Sequence, residues 1–401
     1  MYRPRLIRWT LQRARDSFPA VLVTGPRQSG KSTLLTQEVT EAHGLISFDD
    51  PLQRSFANDD PKGLLAPYAD RPLILDEIQY VPGLLPYLKL AIDADRQRKG
   101  AFLITGSQQF ELMQGVSESL AGRVAILDLL PFSELELPER PLAEAIWTGA
   151  YPEPALAPAM RELWLTSYIA TYVERDVRQV RDIHDLRTFE QFIALVAARH
   201  GQEWRAAPLA RACGVSQPTV KSWLSVLAAS YVVTLLPPWS ANVGKRVVKS
   251  PKLYFVDSAI VCHLTRQPGA GAALAGPLAG ALFEGWAVLE ARKLFAAAGK
   301  PPAMWFWRSH DGLEVDLLLD LNGRIVPVEI KLTATPKPGH LHPLQRIAAI
   351  LGDRVEPGLL VCRVEEETPL PGGAVALPWR SWPRWLAARL GLAVPEAVQA
   401  G

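Results

Sequence analysis

Gly25-Pro26-Arg27-Gln28-Ser29-Gly30-Lys31-Ser32 sets glycines, a lysine and a serine at the spacing G-x-x-x-x-G-K-S, and each of those residue types has a task at a phosphate. The glycines let successive backbone N–H groups curl around phosphate oxygens, and a helix N-terminus adds its positive dipole. Lys31 supplies a point charge and Ser32 offers a hydroxyl to Mg²⁺. Thr33 extends the first turn of that helix, so the run from Gly25 to Thr33 is expected to cradle ATP. An apolar run, Pro72-Leu73-Ile74-Leu75, ends in Asp76 and Glu77. Asp76 is expected to hold the Mg²⁺ water shell, and Glu77 to orient and deprotonate the attacking water. Ala101 to Thr105 is a further buried run followed by Gly106-Ser107-Gln108. Ser107 or Gln108 is placed there to sense the γ-phosphate, with a plain strand-end turn as the alternative. Phosphoryl transfer to water gains from an extra cation. Arg123, in Ser119-Leu120-Ala121-Gly122-Arg123, is the candidate for an arginine supplied by a neighbouring subunit, with Arg175 and Arg178 behind it. A structural salt bridge is the alternative for each.

A second set of reactive groups lies near the C-terminus: Glu284 after Phe283, Glu314-Val315-Asp316, and Glu329-Ile330-Lys331. Period-two alternation in a strand puts Glu329 and Lys331 on one face. Asp316 precedes Glu329 by a hairpin's length, so the two carboxylates are expected to share Mg²⁺ or Mn²⁺, with Lys331 stabilising charge on an attacked phosphate. Glu284, or failing it Glu290, would join from a helix. Lys331 can also neutralise the acids by itself, which would leave a salt-bridged cluster without a metal.

A third signal is charge. The chain is +2 overall, but Gly201 to Lys252 holds seven basic residues against the single acid Glu203, so that segment is +6 and the remainder −4. Such a local excess points to a polyanion. Trp204 to Cys213, the turn Gly214-Val215 and Ser216 to Ala229 read as helix, turn and helix, with Ser216 as cap and Pro218 in the first turn. Gln217, Thr219, Lys221 and Ser222 would face outward toward DNA, duplex or branched. Lys245, Arg246, Lys249 and Lys252 on the following hairpin would grip phosphates as a wing. A winged helix of this kind can instead serve as a lid or an assembly contact.

These groups need particular elements to hold them. Leu6 to Phe18 reads as a helix, and strand-like runs at Ala20–Thr24, Leu45–Phe48, Pro72–Leu75 and Ala101–Thr105 alternate with helix-sized segments, which makes a parallel sheet flanked by helices. With 401 residues, 48% hydrophobic and 21% charged, the chain is expected to form two or three folded domains. The expected divisions are 1–140 for the phosphate-binding domain, 141–185 for a helical connector, 186–265 for the winged helix, and 266–401 for a C-terminal α/β domain. Gln267 to Phe283, rich in Gly and Ala, reads as a linker between the last two. The N-terminal residues have no secretory apolar run, and Cys213, Cys262 and Cys362 lie far apart, so a cytoplasmic protein without disulfides or membrane spans is expected.

The runs LVTGPRQSGKSTLL, LILDEIQYVPGLL, LITGSQQFELMQGVSESLAGR and YVERDVRQV together resemble the AAA-type ATPases of bacteria and archaea that carry a C-terminal domain of unknown function. The resemblance implies an additional-strand P-loop fold, a homo-oligomer that assembles as a ring or a dimer, and the roles given above for Lys31, Ser32, Asp76 and Glu77. WFWRSHDGLEVDLLLD and IVPVEIKLT resemble the restriction-endonuclease-like superfamily. The expected fold class is therefore α/β and multidomain, with an AAA-type parallel sheet, a mainly α winged-helix middle region and a restriction-endonuclease-like C-terminal domain. The expected activity is a DNA-binding ATPase that couples hydrolysis to DNA movement or remodelling, with metal-dependent cleavage as an addition. The rival is a nucleotide-controlled regulatory switch with slow hydrolysis and a non-cleaving C-terminal domain.

Overall fold

The structure is a computed structural model that describes residues 2–39, 43–106, 115–116, 118–173, 186–240 and 250–394. It divides into two compact units, the first made of Met1–Phe132 with Ala229–Tyr231 and Ala296–Lys300, the second of the remainder.

Five parallel strands form the sheet of the first unit: β1 (Ala20–Thr24), β2 (Gly44–Ser47), β3 (Leu73–Asp76), β4 (Phe102–Thr105) and β5 (Val124–Asp128). Their order is β2-β3-β4-β1-β5, so β4 lies between the strand of the glycine loop and the strand of the paired acids. Every residue of β1, β3 and β4 is buried, as expected for central parallel strands covered on both faces, which read as continuous apolar runs. The edge strands are less covered: Leu45 on β2 is 52% exposed and Ile126 on β5 is 46% exposed. β5 has no counterpart among the runs read from sequence, because an exposed edge strand lacks that continuous apolar signal. Leu22, Phe48, Leu75, Leu88, Ile92 and Ile104 belong to the core under this sheet. Fully burying one such side chain contributes roughly 1.5–3 kcal/mol.

The second unit opens with helices, among them Leu186–Ala197, Ala206–Cys213 and Gln217–Ala229. Gly214, at φ 66°, ends the middle one and returns its N–H to Ala210 O and Arg211 O, a left-handed cap that suits glycine. On Gln217–Ala229 the buried positions Val220, Trp223, Leu224 and Leu227 follow helical spacing and form one inward face. β6 (Val233–Leu236) and β7 (Lys252–Phe255) then pair antiparallel. Within this unit Trp239 N–H donates to Phe306 O at 2.6 Å, which joins the end of that ribbon to the C-terminal sheet.

That sheet contains β8 (Met304–Arg308), β9 (Glu314–Leu321), β10 (Arg324–Ile330), β11 (Leu359–Cys362), β12 (Thr368–Pro369) and β13 (Val375–Pro378), in the order β12-β13-β11-β10-β9-β8. β8, β9 and β10 form an antiparallel meander, while β10, β11 and β13 run parallel. The 19-residue helix Ala279–Ala297 buries Leu282, Phe283, Trp286 and Leu294. The segment Gln267–Phe283, expected as a linker, is instead largely helical, with Ala270–Ala275 and then the start of that long helix. Alanine is the strongest helix former, so an alanine-rich run with glycine and proline at the break gives two helices rather than a flexible tether. Among the described residues no helix is long and apolar enough to cross a membrane.

Candidate functional site

The glycine loop leaves the C-terminal end of β1 and enters the helix Lys31–Glu38. Gly25 has φ 140°, and a Cβ there would stand 2.2 Å from Leu129 O, so no other residue fits without moving the backbone after β5. Gly30 has φ 91° and sits directly before the helix. Lys31 is 5% exposed, and its ammonium curls back onto Gly25 O at 3.3 Å and Pro26 O at 3.0 Å. Burial pushes its pKa below the usual lysine value, and Glu77 and Asp76 oppose that shift. The buried Ser29 hydroxyl oxygen has no hydrogen-bond partner among the described residues. A loop with an inward-turned ammonium and an unmatched buried hydroxyl fits a phosphate chain, and Gly25 to Thr33 are the residues that would hold ATP.

Arg5 fixes the loop from behind. Its guanidinium donates to Ser29 O at 2.9 Å and Leu130 O at 2.7 Å and lies 4.6 Å from the centroid of the Phe132 ring. Nothing in the sequence around Met1-Tyr2-Arg3-Pro4-Arg5 marks this residue, because the contact closes across more than a hundred residues.

Asp76, 8% exposed at the end of β3, collects hydroxyls from separate elements. Ser32 Oγ donates to its Oδ1 at 2.6 Å, Thr105 Oγ1 to the same oxygen at 2.5 Å, and Ser47 Oγ to Oδ2 at 3.4 Å. Ser32 and Asp76 are therefore the pair that would hold Mg²⁺, whose contribution when bound is to neutralise charge on the phosphates. Glu77 adopts φ 58° and ψ 49°, a left-handed conformation that costs a non-glycine residue about 1 kcal/mol or more. Its N–H donates to Thr105 Oγ1 at 3.0 Å, and its Oε2 accepts from Gln79 Nε2. The Thr105 hydroxyl, at the end of β4, thus meets the carboxylate of Asp76 and the backbone of Glu77. The nominated sensors Ser107 and Gln108 lie outside the described residues, as do Arg175 and Arg178. Arg123 takes the salt-bridge alternative: its Nε and Nη2 each reach Asp93 at 2.8 Å in the same chain.

In the second unit Asp316 on β9 and Glu329 on β10 come together with Lys331. The Lys331 ammonium donates to Asp316 Oδ2 at 2.8 Å and pairs with Glu329 Oε1 at 2.6 Å, while Ile330 N–H also reaches Asp316 Oδ2 at 2.9 Å. Burial, reinforced by Asp316, pushes the Glu329 carboxyl up to about 8. Burial works against the Lys331 charge, but Asp316 and Glu329 outweigh it and hold its pKa above the usual lysine value. Glu284 on the long helix accepts from Lys252 Nζ at 2.8 Å and Tyr254 OH at 2.6 Å, and Lys252 also pairs with Glu314. Burial raises the Glu284 pKa. Glu290 lies apart from this cluster, taken up by Lys293 and by Ser133 Oγ.

Carboxylate oxygens are the donors Mg²⁺ prefers, but among the described residues no group of three or more His, Cys, Asp or Glu side chains is arranged to hold a metal ion. The cations already in place are ammoniums. As the residues stand they form a lysine-neutralised cluster and not a metal cage.

Of the nominated DNA-contacting residues, Gln217 and Lys221 are exposed on the helix Gln217–Ala229 and Thr219 is half-buried, its N–H and hydroxyl both engaged with Ser216 Oγ. Lys245, Arg246 and Lys249 lie outside the described residues. Lys252 departs from the expectation: it is 4% exposed, and its charge is turned inward to Glu284 and Glu314. The strand that Lys252 begins is buried at all four positions, so its side chain has no solvent-facing side to turn to.

Residues 17–137 match the family described as AAA domain. Residues 139–270 match a domain of unknown function, DUF8612, and residues 279–382 a second, DUF4143. The uncharacterized proteins Rv2008c of Mycobacterium tuberculosis and Mb2031c of Mycobacterium bovis are each 34% identical over 331 residues, a stretch that covers 81% of this chain and 73% of theirs. Among solved structures, the Walker-type ATPase PABY2304 of Pyrococcus abyssi matches at 15% identity with a TM-score of 0.41, over 64% of this chain and 94% of that one. The Aeropyrum pernix ORC1 protein, solved in complex with DNA, matches at 12% identity with a TM-score of 0.25, over 68% of this chain and 94% of that one. This chain belongs to the family of the two mycobacterial proteins, and its N-terminal part is an AAA-type P-loop ATPase domain.

Proposed function

We propose that the protein is a DNA-binding ATPase that couples ATP hydrolysis to DNA movement or remodelling. The observation that carries the ATPase part is the junction at Asp76, where the Ser32 hydroxyl of the loop and the hydroxyl of Thr105 meet one carboxylate. The DNA part rests on the +6 segment and on a helix that turns Gln217 and Lys221 outward from an otherwise packed face. In this reading residues 186–265 are a winged helix and the C-terminal sheet a restriction-endonuclease-like fold that grips DNA, and cuts it only when a divalent ion replaces the lysines. The rival switch reading is favoured by one contact: the Glu77 carboxylate is tied to Gln79 instead of standing free for water, which suits slow hydrolysis.

Measuring ATP turnover with duplex, single-stranded and branched DNA separates the two. A motor is expected to be stimulated several-fold by at least one DNA form. Slow turnover that no DNA alters, together with nucleotide-dependent DNA affinity, would support the switch, and absence of DNA binding would end both.

A further inference from the structure

Tyr231 and Thr24, far apart in sequence, give their hydroxyl protons to one oxygen. Tyr231 OH donates to Asp128 Oδ1 at 2.6 Å, and Thr24 Oγ1 donates to the same atom at 2.7 Å. The two hydroxyl oxygens lie 3.1 Å apart. Each hydroxyl has a single proton, and with both directed to the carboxylate this third side is a contact and not a further bond. All three residues belong to the first compact unit. Tyr231 and Thr24 are buried, so solvent does not compete for these bonds.

The group stands at the root of the nucleotide loop. Thr24 ends β1 and is followed by Gly25, while Asp128 ends β5 and is followed by Leu129. Leu129 N–H donates to Thr24 O at 2.8 Å, and Leu129 O is the atom that leaves Gly25 no room for a Cβ. One residue further, Leu130 O shares the Arg5 guanidinium with Ser29 O. A movement of Asp128 is therefore felt at both Gly25 and Ser29. The Lys31 ammonium is held by Gly25 O and Pro26 O, and a phosphate chain that takes this ammonium competes with those carbonyls, directly beside Thr24.

Tyr231 also closes a helix. It follows Gln217–Ala229 and Ser230, and Val232 N–H returns to Leu227 O at 2.8 Å, the long return bond of a Schellman motif. The left-handed position inside that motif ordinarily falls to glycine, yet Tyr231 takes it, at φ 55°. A bulky residue persists in that conformation only where its surroundings hold it, and the bond to Asp128 is one such hold.

We propose that Tyr231 is a positioning residue that couples the nucleotide loop to the helix Gln217–Ala229. Through Asp128 and Leu129 its phenol sets Gly25, and through its own backbone the nucleotide state of the loop sets the last turn of the helix. A ligand of that helix then alters nucleotide affinity, and nucleotide alters the affinity for that ligand, by the same factor. The inference rests on the DNA-binding reading only for naming DNA as the ligand. A protein that binds no DNA overturns that reading and leaves this one intact.

The test is hydrogen–deuterium exchange of the full chain in the absence of DNA, with and without the non-hydrolysable analogue AMP-PNP and Mg²⁺, at saturation for each protein. In wild type the nucleotide is expected to change exchange of the amides from Leu224 to Val233 by about fivefold or more. Tyr231→Phe removes one oxygen and should abolish that change. A merely structural loss would raise exchange equally in both states and leave the ratio as in wild type. Absence of the change in wild type, or an undiminished ratio in Tyr231→Phe, overturns the proposal. Should Tyr231→Phe fail to fold, Asp128→Ala decides: it removes the acceptor of both hydroxyls from the half-buried end of β5, and the ratio must fall close to one, an undiminished ratio being equally fatal.

Discussion

Thr105 joins Asp76 to the turn that follows it: one hydroxyl donates to Asp76 Oδ1 at 2.5 Å and accepts from Glu77 N–H at 3.0 Å. The second bond helps hold Glu77 at φ 58°, a conformation its own side chain disfavours. β4 can supply that hydroxyl because it lies beside β3 in the sheet, with Leu75 registered opposite Ile104.

Thr105→Val keeps the shape of the side chain and removes both bonds. Turnover is expected to fall about tenfold or more with a much smaller change in KM, because misplacing the carboxylates affects the transition state more than ground-state binding. Thr105→Ser should recover most of the rate. Equal losses in both parameters, or no rescue by serine, would mean that the residue matters only for folding.

Lys31, Asp76 and Glu77 are expected to fail in different ways. Lys31→Ala should abolish nucleotide binding and Asp76→Ala the Mg²⁺ dependence of binding, whereas Glu77→Gln should still bind ATP and lose roughly a hundredfold or more in turnover. Equilibrium binding of a fluorescent ATP analogue alongside steady-state hydrolysis makes the separation. Normal hydrolysis in Glu77→Gln would remove that residue as the base.

The nucleotide loop was legible because its pattern is local: Gly25, Gly30, Lys31 and Ser32 fall at fixed spacing within one short run, although the partners of Gly25 and Ser32, Leu129 and Asp76, are distant. The strands beside it were legible for a related reason, since central parallel strands are apolar throughout. Arg5 and Thr105 were not, because their roles come from contacts to Leu130 and Asp76 that only the folded chain creates. Lys252 shows a third limit. In a run of basic residues its charge resembles its neighbours', and only its inward position on β7 sets it against Glu284. The alanine-rich stretch misled for a compositional reason, as Gly and Ala together suggest a tether, while the buried Ala273 and Ala279 belong to helices.

The basic segment makes a prediction from which Lys252 is now excluded. Lys245→Ala, Arg246→Ala and Lys249→Ala together should weaken binding to every DNA sequence and flatten its salt dependence by as much as roughly 0.9 log units per log unit of salt for each lost phosphate contact. Lys221→Ala, on an exposed position of the helix, should act more on sequence or structure preference. Fluorescence anisotropy over a salt series reads both. An unaltered slope in the triple variant would make the helix and ribbon a lid or an assembly contact.

His200 sets an acid limit on stability. It is 1% exposed, its Nδ1 accepts from Phe255 N–H at 3.1 Å, and burial pushes its pKa down to about 3. The folded chain keeps this imidazole neutral, while the unfolded chain protonates it near the ordinary histidine value of 6.5. Between those values the unfolded state therefore binds more protons, and stability must fall as the pH falls, by up to about 1.4 kcal/mol per pH unit for this group alone. Above pH 6.5 its contribution is fully present and flat. His200→Asn retains an acceptor for Phe255 N–H but cannot titrate. It should cost about 1–2 kcal/mol at neutral pH through the smaller side chain and then lose less than wild type on acidification. Glu284, Glu290 and Glu329, whose pKa values are raised, shift stability in the opposite direction over part of this range, so the quantity to compare is the difference between the two proteins in urea unfolding from pH 7.5 to pH 4.5. That difference should shrink or reverse as the pH falls. A constant offset at every pH would mean that His200 becomes protonated in the fold, and that its burial does not suppress the charge.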